Sequence, residues 1–190
     1  MIGRLAALAV VAVLAGCGDE ARSADEPVPT ESASLPVGTL PPEVADLFRR
    51  FDAIVEKPGF DHEQATLAKL PQGDKALYVL WAIDGEINNG GFSQYLFNPT
   101  AELHDEAVRS ANLVGATRTA ALLERLPAAL GVERISDSRA ERQRLLDRLT
   151  DEQESALNGL DDEWYDGISA EIEASLIAFV RTHPQAFSLP

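Results

Sequence analysis

Along residues 41–190 the apolar positions recur at intervals of three and four. No run alternates apolar and polar residues between turn signals as a half-buried strand would. The pattern predicts an all-α fold, a single compact multi-helix domain. Pro41-Pro42 opens a helix with Val44, Leu47, Phe48, Phe51, Ile54 and Val55 on one face, closed at Pro58-Gly59. Asp61 with Gln64 reads as a capping pair for a short helix through Leu70, stopped by Pro71. Asp74 is then expected to cap the central helix, whose apolar arc (Ala76, Leu77, Val79, Leu80, Trp81, Ile83, Ile87) is too wide for a surface element. Asn88-Asn89-Gly90-Gly91 is a stop signal, followed by one or two turns before Asn98-Pro99. Further helices are expected over 102–114 with Gly115 as stop, from Thr117 to a bend or end near Pro127, and over 138–149. A capping box at Thr150-Gln153 opens an acidic helix, and 168–182 gives the last one.

The N-terminus follows a different pattern. Arg4 precedes an apolar run from Leu5 to Leu14, half the ~20 residues needed to span a bilayer but the length of a signal-peptide core. It ends in Leu14-Ala15-Gly16-Cys17, and Cys17 is the single cysteine of the chain. This resembles the lipobox of bacterial lipoproteins, in which the cysteine is acylated and becomes the new N-terminus. The resemblance implies a signal peptide over 1–16, a palmitoylated membrane anchor at Cys17, and a domain held outside the cytoplasm at the cell membrane or outer membrane. Gly18, rather than Asp, after the cysteine is compatible with the outer membrane. Residues 17–40 carry five acids, one Arg and three prolines without apolar periodicity, so they read as the acylated cysteine and a disordered tether.

Charge then narrows the function. With 31 Asp+Glu against 16 Lys+Arg, the formal net charge is −15, so direct nucleic-acid binding is not expected. Residues 151–173 alone carry nine acids and no base: Asp151, Glu152, Glu154, Asp161, Asp162, Glu163, Asp166, Glu171 and Glu173. The neighbouring Arg134, Arg139, Arg142, Arg144 and Arg148 are expected to neutralise part of that run.

Residues 84–98, DGEINNGGFSQYLFN, crowd Glu86, Asn88, Asn89, Ser93, Gln94 and Asn98 around two glycines, interleaved with Phe92, Tyr95 and Phe97. Together with Val114-Gly115-Ala116, Leu160-Asp161…Trp164-Tyr165 and Leu176…Phe179-Val180, this stretch resembles the helical domain of the DNA-mimic protein family over about residues 45–187. The resemblance implies an acidic surface that imitates duplex phosphates and occupies a DNA-binding protein, and it supplies no catalytic residue. If helical, nine charges over ~35 Å give one per ~4 Å, near the ~3.4 Å of one DNA strand, although Gly159 and Gly167 are expected to break the run. A lipoprotein also faces away from the cytoplasm, where a transcription factor would be met. The export signal is kept where the two readings conflict.

Rival chemistry finds little support in the residues. His62, His104 and His183 lack ligand spacing, Asn89-Gly-Gly lacks the Lys-Ser/Thr of a phosphate loop, and no Gly-x-Ser-x-Gly elbow occurs. No metal or other cofactor is expected, and the balance leans against an enzyme. The leading expectation is a lipid-anchored protein with an acidic helical domain that engages a basic protein partner. Two alternatives stand beside it: DNA mimicry, and a small-ligand or enzymatic site built from Glu86, Asn88, Asn89, Gln94, Tyr95 and Asn98. Against the second, Asn and Gln side chains also serve as caps at buried helix ends.

Overall fold

A computed structural model of the chain describes residues 41–188. The expected signal peptide and tether, with Cys17, lie outside the described residues. Among the described residues there are eight α-helices and two 3₁₀ turns, with no strand: α1 (Pro42–Val55), α2 (Gln64–Leu67), α3 (Gln72–Phe97), a 3₁₀ turn (Pro99–Leu103), α4 (His104–Val114), α5 (Thr117–Ala129), α6 (Arg139–Leu146), α7 (Asp151–Tyr165), α8 (Ile168–Thr182) and a second 3₁₀ turn (Pro184–Ala186). The all-α expectation holds.

The wide apolar arc of α3 has the predicted consequence. It runs through the middle and packs against α1, α4, α6, α7 and α8. Leu77, Leu80, Ile83, Ile87, Phe92, Tyr95 and Leu96 are all buried along it. Several boundaries follow the local signals. Gly115 takes the left-handed conformation that ends α4 (φ 82°), Ser138 caps α6, and Thr150 with Gln153 forms a complete capping box on α7.

Other boundaries differ from the sequence reading. Asp74 does not cap α3. The N-cap is Pro71, and Asp74 is buried three residues inside, where its carboxylate accepts hydrogen bonds from the backbone N–H and hydroxyl of Ser188. Asp61 and Gln64 form no capping pair. Helix α2 starts after Glu63, whose N–H donates to Asp61 at 3.1 Å. On α1, Val55 and part of Phe48 are exposed, although the Phe48 ring packs on Trp81, whereas Arg50 is buried, paired with Asp46 at 2.7 Å and stacked over Phe187.

The Asn-Asn-Gly-Gly signal marks a break within α3, and the short helix expected before Asn98 follows it. Helical dihedrals fail only at Gly90 (φ −168°, ψ 31°) and Gly91 (φ 68°, ψ −172°), and the helix resumes at Phe92. Gly159 lies inside α7 without breaking it, while Gly167 separates α7 from α8. Helix α7 is therefore one uninterrupted acidic element.

Candidate functional site: a locked kink and an acidic helix face

The kink in α3 leaves backbone groups without helical partners, and α7 supplies them. Beyond the break, the Phe92 N–H is a first-turn donor, and Asp161 accepts it at 2.7 Å. Before the break, the Tyr165 hydroxyl donates to the Ile87 carbonyl at 3.0 Å. Between these two, the Trp164 indole stands edge-on to Phe92 (centroids 5.6 Å, 90°), and its N–H donates to Asp84 at 3.1 Å. Gly91 is required twice over. Its φ is positive, and a Cβ there would come within 2.5 Å of Asp161 Oδ2.

The far end of the short segment Phe92–Phe97 is held by cations. Arg142, almost wholly buried, donates to the carbonyls of Leu96 (2.9 Å), Asn98 (2.8 Å) and Ser136 (2.7 Å). Arg139 donates to the Phe97 carbonyl at 2.8 Å and lies over the Phe97 ring. A carboxylate at the N-terminal end and guanidinium groups at the C-terminal end match the helix dipole. Burial draws the Arg142 pKa downward, against the pull of Glu102 at 3.8 Å. Burial also raises the Asp161 pKa, opposed by the Phe92 N–H.

The polar residues of 86–98 therefore divide into separate groups. Glu86 is enclosed by its own chain, accepting from Gln94 (2.9 Å), Asn98 (2.7 Å) and Thr100 (3.3 Å), which ties both sides of the kink to the following 3₁₀ turn. Asn88 turns away from Glu86 and donates to Asp84 and Ser169. Asn89 is exposed. Tyr95 points into the core against His104, with its hydroxyl 3.3 Å from Nδ1. Burial raises the Tyr95 pKa far above its usual value and pulls that of His104 down to about 4, against the opposing charge of Asp105.

The nine acids of 151–173 divide as well. Three work inside the fold. Asp161 caps the kinked segment, and Glu163 forms a two-pronged pair with Arg125 at 2.6 and 2.7 Å. Glu171 caps the start of α5, accepting from the N–H groups of Arg118 and Thr119 and from the Thr119 hydroxyl. Burial pushes the Glu171 pKa up, but these donors outweigh it and the net shift is downward. The expected neutralisation by the α6 arginines does not occur: Arg139 and Arg142 serve backbone carbonyls, and Arg134 pairs with Asp137.

The remaining acids, Asp151, Glu152, Glu154, Asp162, Asp166 and Glu173, are exposed and have no side-chain partner among the described residues. At ~100° per residue, Asp151, Asp162 and Asp166 fall within ~60° of one another, with Glu152 and Glu154 on either side. The buried Leu157, Leu160 and Trp164 lie opposite. Five unpaired carboxylates thus form one outer face of α7 and its C-cap. The five acids of this face span ~22 Å, one per ~4.5 Å, sparser than a single DNA strand at ~3.4 Å, because Asp161 and Glu163 are spent on the fold.

Fold and site together define an all-α protein with a kinked central helix, a lock across that kink and an acidic outer helix. The chain belongs to the DMP19-like protein family, whose model matches residues 68–183, from the end of α2 to the end of α8. This agrees with the DNA-mimic resemblance carried by the 84–98 stretch. The match includes the kink, its lock and the acidic face, and leaves α1 outside. No curated protein and no solved structure matches the chain.

Proposed function

We propose that this chain is a lipid-anchored bacterial protein whose helical domain engages a basic protein partner through the outer face of α7. The observation that carries the reading is the row Asp151, Glu152, Glu154, Asp162 and Asp166, exposed on one face and without counterions among the described residues. Like charges held together raise the folding cost, and pairing with a cationic surface relieves it. Family membership adds support for a protein partner that recognises an acidic surface, and with the domain outside the cytoplasm that partner is a lysine- and arginine-rich envelope protein rather than a transcription factor. Because the face is sparser than a DNA strand, the domain competes for such a surface by long-range attraction more than by copying phosphate spacing.

Anchoring rests on Leu14-Ala15-Gly16-Cys17 after a ten-residue apolar run. No helix among the described residues is long and apolar enough to cross a membrane. With the cysteine acylated, the domain works outside the cytoplasm. Palmitate labelling of cells tests this: the wild-type chain takes label and the Cys17→Ser chain takes none, whereas label retained by Cys17→Ser refutes the anchor. The partner reading is tested by crosslinking pull-downs with the tethered protein. Recovery of a basic protein should fall steeply from low to high salt and on neutralising the five α7 acids, since exposed charges are screened beyond ~8 Å at physiological ionic strength. Salt-independent recovery would refute it.

A further inference from the structure

A second cation site lies away from the α7 row. Between α1, α3 and α8 there is an open cavity of about 340 Å³, at the small end of the ligand-pocket range and of a size for one side chain. Two of its walls are aromatic. Phe48, 41% exposed, meets Trp81 with ring centroids 4.5 Å apart and planes inclined at 56°, so the rings form a corner rather than a flat stack. Ile172 and Leu176 contribute apolar surface, and the carboxylates of Asp84 and Glu173 complete the lining.

Asp84 is used asymmetrically. Its Oδ1 accepts from Trp164 Nε1 (3.1 Å), Asn88 Nδ2 (2.8 Å) and the Ser169 hydroxyl (2.6 Å), and its Oδ2 accepts from no described residue. No buried side-chain oxygen among the described residues lacks a partner, so Oδ2 is accessible, and Asp84 is among the residues that line the cavity. Glu173 is exposed and likewise has no partner among the described residues.

We infer that this cavity receives a lysine side chain of the partner protein. The butyl stem would lie along Ile172 and Leu176, and the ammonium would sit in the corner of Phe48 and Trp81 within reach of Asp84 Oδ2 and Glu173. Lysine fits better than arginine. Arginine's planar fork is satisfied by one whole carboxylate and would pair with exposed Glu173 alone, whereas an ammonium donates three separate bonds and can reach one oxygen on each of two carboxylates carried by different helices. Phe48 lies outside the residues that the family model matches, so the complete cavity is not a feature of the matched region. The inference rests on the reading above for the class of partner, but the site is distinct from the α7 face.

The test is an NMR titration of the full-length chain in detergent micelles with acetyl-Gly-Lys-Gly-amide, following the two tryptophan indole resonances. The Trp81 indole is expected to shift saturably, and that of Trp164, whose N–H donates to Asp84, by less, while an unchanged far-UV circular dichroism spectrum reports that the fold is intact. Glu173→Gln should weaken binding about fivefold, and Asp84→Asn at least as much. Neutralising the five α7 acids should leave this titration unchanged, so failure here is distinguishable from failure of the α7 reading. The inference is overturned if the norleucine peptide shifts Trp81 equally, if the arginine peptide binds as well or better, or if Trp81 does not respond. It is also overturned if Trp81 shifts with protein concentration alone, which would place a second copy of the chain in the cavity.

Discussion

Substituting Gly91 by Ala tests the lock on α3 most severely. At φ 68° and ψ −172° the backbone lies in a region open essentially to glycine alone, and holding a side-chain-bearing residue there costs about 1–3 kcal/mol. The new Cβ would also stand 2.5 Å from Asp161 Oδ2 and 2.9 Å from its Cγ, so the carboxylate must withdraw from the Phe92 N–H. Loss of that capping bond adds about 1 kcal/mol, discounted for the partial exposure of Asp161. The sum is about 2–4 kcal/mol, or roughly 6–12 °C in Tm for a domain of this size. Asp161→Ala alone should cost about 1 kcal/mol. In the double variant the clash and the lost bond are counted once, so the combined loss should fall short of the sum by about 1 kcal/mol. Urea unfolding followed by circular dichroism gives all three values. Gly159→Ala is the control, because a Cβ there meets nothing within 4 Å in the middle of α7; it should stabilise by about 0.5–1 kcal/mol. A Gly91→Ala chain within about 0.5 kcal/mol of wild type, or strict additivity with Asp161→Ala, would refute the lock.

Two further outcomes follow from buried groups. Arg142→Met should destabilise by about 3 kcal/mol or more, because three carbonyls lose a charged donor at once, and Arg142→Lys should recover less than half since one ammonium cannot span them; equal stability of the Lys and Arg chains in urea would contradict this. His104 is held neutral down to about pH 4 by burial, so below pH 6.5 the unfolded chain takes up a proton that the folded chain refuses. Stability is therefore level above pH 6.5 and falls as the pH drops from 6.5 towards 4, by up to about 3 kcal/mol. Unfolding free energies against pH should show this slope, His104→Gln should remove it, and an unchanged slope in that variant would refute the assignment. The lowered pKa of Glu171 adds to the loss further down the acid range, and the raised pKa of Asp161 acts against it.

What the sequence discloses depends on how far apart the interacting residues lie. The Thr150–Gln153 box and the Gly115 stop each act within a few residues and were legible as written, whereas Ser138 read as part of its helix and proves to be the cap. The caps that matter most act across the fold. Asp161 serves Phe92 from 69 residues away, Glu171 serves Thr119 from 52, and Asp74 serves Ser188 from 114. Nothing in the local pattern around these acids separates them from exposed neighbours such as Asp162 or Glu173. The same reason explains Arg142, which reads as one of several surface arginines until the carbonyls of the kinked segment are seen beside it. One signal was available for the kink: two adjacent glycines inside an otherwise apolar helix, with an aromatic residue following at once, mark a close approach as readily as an end. The polar stretch 84–98 was legible as unusual, but not as two groups, because Asn88 and Glu86 find partners on different elements.

The acidic face of α7 remains the centre of the functional account. Ser155 is exposed among the five unpaired acids, ~40° around the helix from Asp151, which makes it the position from which a partner on that face would be captured. A photo-crosslinking residue at 155, activated in cells expressing the full chain, should give an adduct with a basic protein. The adduct should disappear when Asp151, Glu152, Glu154, Asp162 and Asp166 are changed to their amides. An adduct that persists in the neutralised chain, or capture from other faces with none from 155, would contradict it.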